Sequence, residues 1–535
     1  MSRVTGAALM GVEGFVIEVE VRVSAQLPRI DIVGLPALSV RESGSRVRAA
    51  IASVGERFPP NRVTVNLAPA ALRKNGAGLD LAIAIGILVA SGAIEAESIQ
   101  RTAFVGELAL DGRLRPVAGA LAMALALRAH DITRVILPTA CAQAAALAHE
   151  DLEVLPAEDL SQVLAHLREV ESLTAARPAS LPENSSSGPC LSEVRGQHFA
   201  KRALEIAAGG GHAVLFIGPP GSGKTMLARR LPGLLPPLED RERLGVTRIH
   251  CAAGLLAEDG QSVAERPFRA PHHTSSAAGL LGGGQPPSPG EVSLAHGGVL
   301  LLDELPEFDR RTRESLRQVL EDHHVTLARA GLVCEFPADF MLVCTANPCP
   351  CGFFGCSYRD CRCDPGLIER YRRRLWGPLM DRIDLHVNVP AQRWSEWASA
   401  PLGEKSAQVQ GRVMRARRLQ IERKGASNAR ILDTPLDEIL NLTPEAEKLL
   451  GQAVDRWGLS ARATRRLQRV ARTIADLAER ENQRLKTDIE VLEEQVRARA
   501  RRGPGQGGSG GRAADVVCPP TAGLCRRHPH PAWGR

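Results

Sequence analysis

The sequence predicts an α/β core, preceded by a separate α+β domain and followed by a helical one. Three observations carry this. An apolar run at 213–217 meets a glycine-rich turn and then a helix, and two further apolar runs, 298–302 and 340–346, each end in polar residues. The small, polar stretch 172–189, with Ser185-Ser-Ser-Gly188 inside it, reads as a linker. Beyond residue 400 the pattern turns helical and Arg-rich, and 535 residues suit two to four domains.

Taken in order, 15–23 alternates as a strand, and 28–33 is a short β-branched strand ending at Gly34-Leu-Pro36. A positively charged helix is expected from Val40 to Ser53, then a strand from Arg62 to Leu67. Leu79–Ala90 is apolar throughout and reads as a buried helix; Phe104–Leu110 reads as a strand with a hairpin turn at Asp111-Gly112. Helix 117–129, strand 135–137 and helix 141–148 complete an α+β domain over 1–170. A linker at 171–189, an α/β core at 190–395, a helical unit at 396–498 and a disordered tail at 499–535 follow. Leu485, Ile489, Leu492 and Val496 have the spacing of a short coiled-coil seam.

Composition excludes some classes. With 44% hydrophobic and 24% charged residues, large cores in a water-soluble chain are feasible; aromatics at 3% leave those cores to Leu, Val, Ile and Ala. The apolar stretch Leu79–Ala90 is shorter than the roughly 20 residues of a membrane-spanning helix. Met1 to Met10 carries one Arg and no long apolar run, so neither a membrane segment nor a signal peptide is expected. The 12 cysteines do not form a disulfide-like framework, and a reducing cytoplasm is the expected compartment. The net charge of +7 permits a nucleic-acid partner without requiring one. Arg462, Arg465, Arg466, Arg469 and Arg472 share helical spacing, either a phosphate-facing stripe or a solvated face; Arg370 and Arg372–Arg374 form a second cluster.

The chemistry lies in the core. Gly218, Pro219, Pro220, Gly221, Ser222, Gly223, Lys224 and Thr225 fit G-x-x-x-x-G-K-T between a strand and a helix, the context this motif requires. Glycines let backbone N–H groups curl around phosphates, and the helix N-terminus adds its dipole. Lys224 can reach the β and γ phosphates of ATP, and Thr225 can hold Mg2+. The run 298–302 ends in Asp303 and Glu304, which suit magnesium orientation and polarisation of the attacking water. The run 340–346 ends at Asn347, placed to contact that water or the γ-phosphate, in the manner of the first sensor of AAA+ ATPases.

These motifs, with Val33-Gly-Leu-Pro-Ala37, Gly106-Glu-Leu-Ala-Leu-Asp-Gly-Arg113, Arg266-Pro-Phe-Arg-Ala-Pro-His-His273, Thr345-Ala-Asn-Pro-Cys-Pro-Cys-Gly352 and Gly377-Pro-Leu-Met-Asp-Arg-Ile-Asp-Leu385, resemble the ComM/YifB group of magnesium-chelatase-like AAA+ ATPases over roughly residues 4–477. The resemblance implies an AAA+ core with a C-terminal helical lid, assembled as a hexameric ring with ATP sites between subunits. It implies Arg382 as the arginine finger and Arg462 as the second sensor on the lid. It further implies a DNA helicase or translocase promoting branch migration in recombination or natural transformation, with single-stranded or branched DNA as partner. Residues 266–295 resemble the helix-2 insert and 323–330 a hairpin before the first sensor. Arg329 is its candidate phosphate contact, with a local carboxylate as the alternative partner. A magnesium-chelatase-like subunit and an ATP-dependent remodelling scaffold are the alternatives.

Residues 1–170 resemble the Lon-protease-like fold, but the positions of its catalytic serine and lysine are Gly78 and Leu121 here, so no peptidase activity is expected. Lys74 reads as a surface charge. Cys349, Cys351, Cys356, Cys361 and Cys363 offer thiolates for one structural zinc, four of the five sufficing; an iron–sulfur cluster or no metal are the alternatives. The lid of the resembled family ends soon after the Arg472 helix, so this chain is expected to depart from the pattern beyond it.

Overall fold

A computed structural model describes residues 1–478, apart from 71–73, 75, 77, 150, 179–187, 257–261, 330–331, 357–358, 376–378, 432 and 441. The expected coiled-coil seam and the tail 499–535 lie outside the described residues.

The N-terminal strands form a seven-stranded mixed sheet, in the spatial order Arg29–Val33, Arg62–Ala68, Glu13–Ser24, Ser2–Met10, Thr102–Phe104, Arg134–Pro138 and Glu153–Ala157. Alternation works as expected at Arg62–Ala68, where Val63, Val65 and Leu67 are buried and their neighbours are half-exposed. The helix Asp80–Ala90 is buried from Asp80 to Leu88, as its all-round apolarity demands. The Asp111-Gly112 turn joins Glu107–Leu108 to Leu114–Arg115 as an antiparallel pair.

Several elements differ from expectation. Ser2–Met10 is a strand paired along its whole length with Glu13–Ser24. Its small residues gave little β signal because they serve packing: a Cβ on Gly6 would lie 3.0 Å from Leu79 Cδ2. The strand Glu153–Ala157 and the helix Leu160–Leu167 are further additions to the expected elements. The helix expected from Val40 to Ser53 divides into Leu38–Arg41 and Ser43–Ser53. The second piece aims Ser43 and Arg46 at the fully buried Asp80, with Arg46 Nε 2.7 Å from Asp80 Oδ2.

Lys74 corrects a further expectation, being 1% exposed rather than a surface charge. Its ammonium donates to Gly34 O at 3.0 Å, to Leu67 O at 2.9 Å and to Pro69 O, so its three N–H groups all meet backbone carbonyls. Burial pushes its pKa below the usual lysine value. The cation thereby ties the ends of two strands together. Lys74→Met would leave those acceptors unsatisfied. We expect a loss of about 3 kcal/mol, read as a lower midpoint of the first urea transition.

The second sheet has five strands, all parallel, in the order Phe268–Arg269, Val299–Leu302, Met341–Ala346, Val214–Ile217 and Leu385–Asn388. Its three central strands, Val299–Leu302, Met341–Ala346 and Val214–Ile217, are near-continuous apolar runs, as central strands covered on both faces require, while the two edge strands are mixed. Parallel register brings the carboxyl ends of the strands to one edge, where ligands bind in such folds. The sheet contacts the N-terminal region through the helices Ala120–Arg128 and Asp240–Ala252, with Gly119 N–H donating to Cys251 O at 3.1 Å and Arg248 paired to Glu13 at 3.0 Å.

C-terminal helices pack on the opposite edge. The helix Ser406–Lys424 lies on His198–Gly210, with Arg417 donating to Ala208 O and Gln420 to Gly209 O. A buried polar chain joins residues 461–478, which are helical, to the sheet: Asp384 to His212, His212 to Thr473, and Asn428 to both Thr473 and Asp476. The arginines of 462–472 fit neither reading of a stripe. Arg466 donates to Met380 O and Ile383 O, Arg465 to Gln468, Arg472 to Asp476 and Arg462 to Glu321. Helical spacing placed them on one segment; Arg462 and Arg466 reach partners on other elements, while Arg465 and Arg472 pair with residues three and four positions along their own helix.

Candidate functional site

The glycine-rich loop leaves the strand Val214–Ile217 at the carboxyl edge of the parallel sheet. Gly218 is required by proximity, since a Cβ there would lie 2.1 Å from Val389 O. Gly221 and Gly223 have φ of +75° and +92°, and nothing lies within 4 Å of where their Cβ atoms would be, so the crown of the loop is open. Lys224 is 9% exposed and begins the helix Lys224–Ala228. Its ammonium donates to Gly218 O at 2.8 Å, Pro219 O at 2.9 Å and Asn347 Oδ1 at 3.1 Å. Burial lowers its pKa, while the nearby Asp303 and Glu304 act the other way.

Asp303 and Glu304 follow the fully buried strand Val299–Leu302. The Thr225 hydroxyl donates to Asp303 Oδ2 at 3.0 Å. Thr345, on the adjacent strand, donates its hydroxyl to Asp303 Oδ1 and accepts the Glu304 N–H at 2.9 Å. Glu304 is exposed and has φ +56°, a left-handed backbone that few non-glycine residues adopt. Thr345 thus holds both acids in place. In sequence Thr345 is one polar residue within the apolar run 340–346; a hydroxyl one residue before the end of such a run is the only signal of its role.

Five residues singled out from sequence therefore meet at this edge: Lys224, Thr225, Asp303, Glu304 and Asn347. Beside them opens a cleft of about 590 Å³, bordered by Gly218, Pro219, Asn347, Phe354, Arg372 and Pro390 among others.

Arg382 and Arg462 are not at this edge. Arg382 ends a short 3-10 turn just before the strand Leu385–Asn388, whose start is bonded to Ala213 at the beginning of the loop-bearing strand. Four residues of strand, roughly 13 Å, separate that edge from the glycine-rich loop. Both arginines bond one carboxylate, Glu321, with Arg462 at 2.5 Å. The Arg382 side chain is only 7% exposed. Burial tends to raise the Glu321 pKa, but the hydrogen bonds from Arg462 and Arg382 outweigh it and hold the carboxyl below its ordinary value. Glu321 lies in the last turn of the helix Arg310–Asp322 and carried no sequence signal, since one acid in a charged helix is unremarkable by pattern.

The strands His324–Arg329 and Leu332–Pro337 pair as an antiparallel hairpin. Arg329 is the last residue of the first strand, and its side chain lies outside the described residues. Four of the five clustered cysteines, Cys349, Cys351, Cys361 and Cys363, converge; Cys356 instead borders the cleft.

Comparison with known proteins adds to this geometry. Residues 190–397 match the family described as "Magnesium chelatase, subunit ChlI", residues 19–141 match "Subunit ChlI of Mg-chelatase", and residues 403–492 match "Magnesium chelatase, subunit ChlI C-terminal". That last match runs past Arg472 to residue 492. The chain is 40% identical to competence protein ComM of Haemophilus influenzae over 477 residues, covering 88% of this chain and 92% of the relative. It is 41% identical to YifB of Escherichia coli over 483 residues, covering 89% and 93%. A magnesium-chelatase 67 kDa subunit of Heliobacterium mobile is 30% identical over 226 residues, covering 37% and 30%. Among the described residues no helix is long and apolar enough to cross a membrane.

Proposed function

From a chain that belongs to the ComM/YifB family of magnesium-chelatase-like AAA+ ATPases, we propose an ATP-hydrolysing ring motor that acts on DNA, as a helicase or translocase serving recombination or natural transformation. One observation carries the motor reading. The loop, acids and Asn347 occupy one edge of the parallel sheet, while Arg382 and Arg462 share Glu321 at the other. Arginines placed there serve a neighbour's nucleotide, so a complete site needs two subunits, and a closed ring supplies it to every subunit.

The residues present fit the nucleotide and its metal. Thr225 and Asp303 face each other with hydroxyl and carboxylate oxygens, the hard donors magnesium prefers. The open crown at Gly221 and Gly223 leaves room for phosphates against the backbone. Bound ATP would supply the phosphoanhydride bond that is cut, and magnesium would supply positive charge that neutralises its phosphates. Lys224 neutralises phosphate charge, Glu304 accepts a proton from the attacking water, and Asn347 orients that water. Arg382 and Arg462 stabilise charge that develops on the transferred group and make hydrolysis conditional on assembly.

We assign residues 1–170 to a Lon-protease-like domain without peptidase activity, 171–189 to a linker, 190–395 to the ATPase core and 396–498 to the lid. At the two positions where that fold would carry its dyad, Gly78 has no side chain and Leu121 is fully buried in an apolar cluster. The DNA reading rests on the hairpin before Asn347, which can project into a ring's channel, and on the relative named for competence. It also places the protein in the cytoplasm.

The partial likeness to a magnesium-chelatase subunit favours a second reading, in which ATP hydrolysis drives metal insertion with partner subunits. ATPase rates measured with no DNA and with single-stranded, duplex and forked DNA separate the two. The motor reading expects stimulation, strongest with forked DNA; rates indifferent to every DNA would reject it.

A further inference from the structure

We propose that Cys349, Cys351, Cys361 and Cys363 bind one zinc ion, and that this ion builds a wall of the nucleotide cleft, so that metal occupancy sets the affinity for ATP. The second half rests on the ATP reading above.

The thiols are placed for a single ion. Cys349 Sγ lies 3.4 Å from Cys351 Sγ and 3.6 Å from Cys361 Sγ, and Cys351 and Cys361 are also 3.6 Å apart. All four sulfurs lie within 4.8 Å of one another. Four thiolates at about 2.3 Å from one ion make a tetrahedron with edges of roughly 3.8 Å. The observed spacings are far longer than the roughly 2.05 Å of a disulfide. They are also too tight to enclose a four-iron cluster, which spreads its thiolates further apart. Soft sulfur donors in a closed tetrahedral set select zinc over the hard cations. Cys356 stands outside this set.

The same loop forms the cleft. Phe354, Gly355 and Cys356 lie between the ligands Cys351 and Cys361, and they border the space that Gly218 and Pro219 border from the other side. Gly352 sits against the glycine-rich loop with φ +84°, where a Cβ would come 2.4 Å from Pro220 Cδ. The Phe354 N–H points at Cys349 Sγ at 3.3 Å, and the Arg372 guanidinium stacks 4.7 Å from the Phe354 ring centre. Cys349 itself is fully buried and follows Asn347 by two residues. One ion therefore fixes a loop that touches the phosphate-binding turn, the sensor strand and the helix Pro365–Leu375 together. Among the described residues of the segment from Cys351 to Cys361 no disulfide or ion pair closes it, so without the ion its ordering entropy falls on nucleotide binding.

The test uses the full-length chain. Metal content is measured by plasma mass spectrometry, and affinity for a fluorescent ATP analogue is titrated in magnesium. Wild type is expected to carry about one zinc per chain. Cys361→Ser is expected to lose it and to bind the analogue at least about tenfold more weakly, a differential of roughly 1.4 kcal/mol, while its circular dichroism stays that of the wild type. Cys356→Ser is expected to keep the metal. To guard against misfolding of Cys361→Ser, wild type is also stripped with a zinc-selective chelator, and affinity should return on adding zinc. Wild type without stoichiometric zinc overturns the site. Nucleotide binding that is equal with and without the metal overturns the coupling alone. A zinc-loaded wild type that binds no nucleotide, like Lys224→Ala, overturns the ATP reading and the coupling with it.

Discussion

Glu304→Gln is expected to lower ATP turnover by at least about 10²-fold while ATP binding persists. Gln keeps the size and hydrogen-bonding reach of Glu but cannot take a proton from water. The backbone at Glu304 is already in the left-handed region, held by the N–H donated to Thr345. On the Glu304 side that bond uses only the backbone N–H, with the Thr345 hydroxyl accepting, so it survives the substitution. Asp303 keeps its bonds to Thr225 and Thr345, so the metal-facing side of the site is untouched. Steady-state phosphate release, alongside titration of a fluorescent ATP analogue, checks both halves. Equal losses of binding and turnover would show that Glu304 supports the fold of the site rather than the proton transfer.

Arg382→Ala is expected to cost about 10³-fold or more in turnover, the range known for arginine fingers, and the loss should be repairable in trans. The reason is positional. Arg382 lies at the amino edge of the sheet and the phosphate loop at the carboxyl edge, so its own ATP is out of reach. Mixing Arg382→Ala with Lys224→Ala creates interfaces in which an intact loop faces an intact arginine. Hydrolysis by the mixture above that of either variant alone is the expected result. A mixture as dead as its components would place Arg382 in a structural role. Glu321 bears on the same experiment, because it holds Arg382 and Arg462 side by side. On the proposed function, both arginines would have to turn from Glu321 to meet a neighbour's phosphate.

Much of this site was legible because its chemistry is local in sequence. The residues from Gly218 to Thr225 are contiguous, and Asp303, Glu304 and Asn347 each follow an apolar run that has to be a buried strand. Parallel strands bring such endings to one edge whatever lies between them. The cysteines converge for a related reason, since four ligands within fifteen residues need only a loop to meet. What was not legible depended on partners distant in sequence. Lys74 looked like a surface charge because the carbonyls of Gly34 and Leu67 that surround it come from other strands. The Arg462–Arg472 row looked like a surface for phosphate or solvent because the carbonyls of Met380 and Ile383 and the carboxylate of Glu321 come from segments distant in sequence. Ser2–Met10 did not look like a strand because its small residues answer to the close approach of Leu79.

The sequence by itself determined the family, the nucleotide loop and the buried strands that flank it, since periodicity, glycine placement and contiguous motifs are properties of short segments. Only the tertiary structure decided which charges are buried, which four thiols converge, and that Arg382 and Arg462 stand together on Glu321 across the sheet from the loop. Those outcomes depend on which groups packing brings within a few ångströms of each other, and a buried charge is tolerated only where the fold supplies its partners.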